Sequence, residues 1–118
     1  MPSFRYKNWS FKYVNMSKKV SGITGTVKLS VESGSKMSRN ATVRISVNLD
    51  GSEPRSGNYT VQSYNDLGKE HQWKIKSNSK GVVSTLYIFK SKRTVKGMSL
   101  DGLLIMGEGD KSITFYLQ

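Results

Sequence analysis

Apolar residues fall at every second position through much of this chain. Val27, Leu29 and Val31 alternate with Lys28, Ser30 and Glu32, and Val43, Ile45, Val47 and Leu49 alternate with Arg44, Ser46 and Asn48. A period of two puts the two sets on opposite faces of an extended strand. These segments are expected to pair as a hairpin across residues 33–40. Further strands are expected over residues 4–15, 58–64, 71–77, 82–90, 100–106 and 112–117, where β-branched and aromatic residues lie between clusters of Gly, Asn, Ser and Asp. Helical periodicity is hard to find. The chain therefore reads as all-β, an antiparallel sandwich of about eight strands in jelly-roll-like order, with a closed β-barrel as the alternative.

Two stretches depart from clean alternation. From Val82 to Phe89 and from Leu103 to Met106 the residues are nearly all apolar or β-branched. Strands of that kind are usually covered on both faces, so they are expected at the centre of the fold or in a homo-oligomer contact. The N-terminal segment interleaves Phe4, Tyr6, Trp9, Phe11 and Tyr13 with Arg5, Lys7 and Lys12. Phe4 and Tyr6 share one face and the other three share the opposite one. A bulge near Asn8 would turn all five inward as core; without it, some would form a surface on which bases or sugars could stack.

With 118 residues the chain can bury one core, and a single domain over residues 1–118 is expected. There is no Cys, so disulfides and thiolate metal sites are excluded. That suits a reducing compartment, the cytoplasm or the inside of a virion. The first seven residues have no apolar h-region and no aliphatic run is long enough to span a bilayer, so a soluble, uncleaved chain is expected.

Charge adds the strongest functional clue. Nineteen Lys and Arg against eight Asp and Glu give a formal net charge of +11. Such an excess repels itself unless an anion neutralises it. If consecutive strands are antiparallel, alternate loops share one end of the domain. The loops after the second, fourth and sixth strands would then gather Lys36, Arg39, Lys69, Lys90, Lys92, Arg93 and Lys96 against Asp66 and Glu70 into a basic pole. The densest cluster, from Lys90 to Lys96, interleaves cations with Ser91 and Thr94, side chains suited to phosphate oxygens. The candidate contact set for nucleic acid or another polyanion is Lys36, Arg39, Lys90, Lys92, Arg93 and Lys96.

The remaining motifs carry less. His71 is the only histidine, and no serine elbow or partner spacing makes it a catalytic base, so no enzyme is expected. Gly107-Glu108-Gly109-Asp110-Lys111-Ser112 lacks the Gly-Lys-Ser/Thr order of a phosphate loop and reads as a turn. Neither Asp50-Gly51-Ser52-Glu53 nor Glu108-Gly109-Asp110 has calcium-loop spacing, so no metal or cofactor is expected. The chain is thus expected to be a binding module for a polyanion. Two alternatives stand beside it: a self-assembling structural subunit of the viral-coat kind, and a carbohydrate-binding β-sandwich.

Overall fold

A computed structural model describes residues 5–15, 20–32, 34, 36–95 and 97–118. Eight strands follow one another: β1 (Tyr6–Asn15), β2 (Val20–Val31), β3 (Thr42–Leu49), β4 (Arg55–Asp66), β5 (Glu70–Ser77), β6 (Val83–Val95), β7 (Met98–Met106) and β8 (Ile113–Leu117). A single 3-10 turn (Gly109–Lys111) separates the last two. Each strand pairs antiparallel with the next, and β8 returns to β1 through Val14↔Phe115 and Asn15↔Thr114. The sheet is a closed up-and-down barrel, so the barrel alternative holds and the jelly-roll sandwich does not. Closure leaves no free edge. Alternation specifies which side chains turn inward, but it is equally compatible with one sheet curling shut and with two sheets facing each other.

Eight strands enclose a space that side chains can fill. Here Trp9, Phe11, Leu29, Ile45, Trp73, Ile75, Leu86, Leu104 and Leu117 fill it, all of them buried. Met37, from the connection after β2, is fully buried, and its carbonyl accepts a hydrogen bond of 2.9 Å from Trp73 Nε1. Two backbone features bend the wall. At Gly25 the ring of Phe11 occupies the space beside the missing side chain, and at Gly102 the carbonyl of Tyr87 does so; a Cβ at either glycine would collide with backbone.

The expected hairpin of β2 and β3 forms, in the register Val27↔Val47 and Leu29↔Ile45. Other expectations change. The register shift between β1 and β2 lies at Phe11 to Tyr13, where Lys12 alone faces Gly22, Ile23 and Thr24 of β2, and not near Asn8. Trp9 and Phe11 therefore face the core, Val14 takes the next inward position, and Tyr13 turns out to pack edge-on against Tyr116 at 4.7 Å. Tyr6 faces outward and Phe4 lies outside the described residues. Within the single barrel the apolar stretches of β6 and β7 are covered by the core on one face only. Ser84, Leu86 and Ile88 point inward with Gly102 and Leu104, whereas Val83, Thr85, Tyr87, Leu103 and Ile105 form part of the outer wall.

Candidate nucleic-acid interface

The antiparallel order brings the β2–β3, β4–β5 and β6–β7 connections to one end of the barrel. Lys36, Arg39 and Lys69 lie exposed in those connections. Lys96 is outside the described residues. Lys90, Lys92 and Arg93 are not in a loop; they belong to β6, which runs on to Val95. Each of the three sits against a carboxylate. Lys90 Nζ donates to both oxygens of Asp66 at 2.7 and 2.9 Å, Lys92 Nζ lies 3.1 Å from Asp101, and Arg93 donates to Glu70 at 3.1 Å. The Arg93 guanidinium also lies 4.1 Å from the centre of the Phe89 ring. The bond from Lys90, with a second from the Gly68 amide, holds the Asp66 carboxyl below the usual carboxylate range. These are exposed pairs of modest strength, and a dense anion could compete for the cations.

A second set of cations lies on the outer wall of β2–β5, where the register aligns residues of neighbouring strands into rows. One row reads Asn8, Lys28, Ser46, Ser56 across β1–β4, and the next reads Tyr6, Ser30, Arg44, Asn58. A third runs Thr42, Thr60, Lys76 across β3–β5, while Lys74 stands opposite Ser63. Lys28, Arg44, Lys74 and Lys76 are all exposed, and none has a carboxylate within ion-pair reach among the described residues. Arg44 instead donates to the hydroxyl of Ser56 at 3.0 Å. The two acids of these strands, Asp66 and Glu70, are taken by Lys90 and Arg93.

Two shallow open grooves adjoin this wall. One, of about 470 Å³, is lined by Arg39, Asn40, Thr60, Val61, Gln62 and Ser63. The other, about 400 Å³, is bounded by Thr60, Gln62, Lys76, Ser77, Asn78 and Gly81. Gln62 is the extra residue of a second register shift, between Val61 and Ser63, and it stands on the ridge between the grooves. Asn40 adopts a left-handed backbone with φ 70° and donates its amide to the Val61 carbonyl at 2.8 Å. Bulge and turn together set Arg39 and Lys76 on either side of that ridge. Thr60 reaches Asn78 at 2.7 Å, so the lining is polar and hydrogen-bonded.

His71 belongs to neither surface. Its ring stacks on Tyr64 at 5.8 Å, and its Nδ1 lies 2.7 Å from the Tyr64 hydroxyl. Burial, and then the charge of Lys90, push its pKa below the ordinary imidazole value, so the ring is neutral at pH 7. Among the described residues no three His, Cys, Asp or Glu side chains come close enough to hold a metal ion. Nor is any described helix long and apolar enough to cross a membrane.

Of the candidate contacts read from sequence, then, Lys36 and Arg39 present free cations at the pole and Lys90, Lys92 and Arg93 present paired ones. Lys28, Arg44, Lys74 and Lys76 stand outside that contact set, although alternation with apolar neighbours already turns each outward. No known family, curated protein or solved structure matches this chain.

Proposed function

We propose that this barrel is a non-enzymatic module that binds a polyanion, nucleic acid through its phosphates, on the outer wall of β2–β5 and the adjoining pole. The carrying observation is the set Lys28, Arg44, Lys74 and Lys76, four exposed cations among Ser, Thr and Asn side chains with no carboxylate among the described residues to neutralise them. Positive charge displayed this way, beside hydroxyls and amides that donate to phosphate oxygens, favours a ligand with many closely spaced anions. Arg39 and Lys36 extend the surface onto the pole. Because these contacts meet the backbone, all base sequences should bind alike. The test is fluorescence anisotropy on labelled oligonucleotides at several salt concentrations. Binding at low salt that weakens steeply as salt rises supports the reading, and no binding at low salt overturns it.

A second reading, a self-assembling subunit, draws on the opposite wall. Tyr87, Leu103 and Tyr116 stand side by side across β6–β8, with Thr85, Ile105 and Thr114 in the row below. Those six outward positions carry no charge, in a molecule of net charge +11. Two copies would meet there with least repulsion. Size-exclusion chromatography with light scattering decides it: a dimer or larger that Leu103→Lys returns to monomer supports assembly, and a monomer at every concentration removes it.

A further inference from the structure

We infer that the wall takes its nucleic acid single-stranded, with the ring of Tyr6 as the platform on which an unpaired base stacks. The inference rests on the nucleic-acid reading above. Tyr6 is 57% exposed, and among the described residues it is the one aromatic side chain in the exposed class. The other described rings are less open. Trp9, Phe11, Trp73 and Phe115 are core, Tyr59 packs against it, Phe89 lies under Arg93, Tyr13 packs on Tyr116 and Tyr64 on His71, while Tyr87 on the outer wall is only half-buried.

The surroundings of Tyr6 are those a single strand needs. It stands directly opposite Ser30, in the row that contains Arg44, and its diagonal neighbour across the strand pair is Lys28, opposite Asn8. Diagonal partners on one face are roughly 7–8 Å apart, within reach of long side chains. Lys7, its exposed neighbour in the strand, pairs with inward-facing Leu29 and so points to the other face. An aromatic face with cations beside it on the same wall can hold a base by stacking while those charges meet the phosphates. A duplex keeps its base faces stacked inside, so it would gain from Lys28 and Arg44 but not from Tyr6. The geometry thus separates two contributions, one shared by every polyanion and one available only to an unpaired base.

The experiment compares Tyr6→Ala and Tyr6→Phe with the unaltered protein by anisotropy, on oligo-dT and on a duplex of equal length. Thermal melts confirm that each variant is folded. Stacking contributes about 1–3 kcal/mol per base, so Tyr6→Ala should weaken oligo-dT binding by roughly 5- to 150-fold. It should leave duplex affinity and the salt slope unchanged, and Tyr6→Phe should retain most of the affinity. Equal losses on both ligands, or no loss on oligo-dT, would overturn the stacking role while leaving the phosphate reading intact. Failure of the unaltered protein to bind either ligand at low salt would overturn both.

Discussion

The two halves of the barrel's outer surface follow the same pleat and display opposite chemistry. Across β2–β5 the outward positions are mainly Lys, Arg, Ser, Thr, Asn and Gln, with Glu70 at the end of β5; across β6–β8 they include Val83, Tyr87, Leu103, Ile105 and Tyr116. Inside, both halves contribute apolar residues to one core. The core fixes the fold without distinguishing the halves, so the difference must be read from the outward rows. The cations of β6 are instead engaged at the seam, where Asp66–Lys90 ties β4 to β6 and Glu70–Arg93 ties β5 to β6. Position matters more than density: the seam cations hold strands together, and among the described residues the sparser wall cations have no such partner.

Both walls depend on a glycine, and that dependence gives the largest expected effect. Gly25→Ala and Gly102→Ala each force a Cβ onto a carbonyl of the neighbouring strand. Each should destabilise the barrel by on the order of 3 kcal/mol, seen as a lower urea midpoint. Gly57→Ala, whose added Cβ would meet only a Tyr59 ring carbon at 3.7 Å, is the contrasting control and should cost far less. If all three cost the same, the close approaches at Gly25 and Gly102 are not what the wall requires.

The apolar wall offers a smaller effect. Outside an assembly, Leu103→Lys should change stability by only about 0.5 kcal/mol, because the side chain points away from the core. A loss of several kcal/mol would show that the outward face is packed in the monomer after all. The seam gives the smallest. The His71 pKa is depressed, so the unfolded chain binds the proton first as pH falls. The His71 contribution is present above the ordinary imidazole pKa of about 6.5 and is lost as pH drops below it toward the folded value. Asp66 follows at lower pH: its carboxyl is also depressed, so its stabilisation is present above about 3.9 and is lost as pH falls through the folded value. Urea midpoints from pH 8 to pH 3 should fall in these two steps. His71→Gln should remove the first and Lys90→Gln should reduce the second.

Sequence reasoning reached the strands but not their neighbours. Alternation around Val27, Val43 and Trp73 already placed Lys28, Arg44 and Lys74 outward. It could not show that they share one wall, because adjacency comes from register, and register passes through an irregular stretch of β2 at residues 22–24 and a bulge at Gln62. The cluster from Lys90 to Lys96 looked like a loop for a related reason. The irregular stretch between Ile88 and Arg93 lets β6 continue beyond its apolar run, and it brings Lys92 against Asp101, an acid the loop count had not included. Closure was beyond reach because Val14↔Phe115 joins residues at opposite ends of the chain.

The central claim is that the wall, more than the cluster of β6, carries the polyanion. Two variants decide it: Lys28, Arg44, Lys74 and Lys76 replaced together by Gln, and Lys90, Lys92 and Arg93 replaced together by Gln. Each phosphate contact contributes about 0.7–0.9 to the log–log dependence of affinity on salt, so the wall variant should lose roughly three units of slope on oligo-dT. The cluster variant should lose about one unit or less, since its cations are already paired. The reverse order, a cluster variant that loses the larger slope while the wall variant binds as before, would contradict the account.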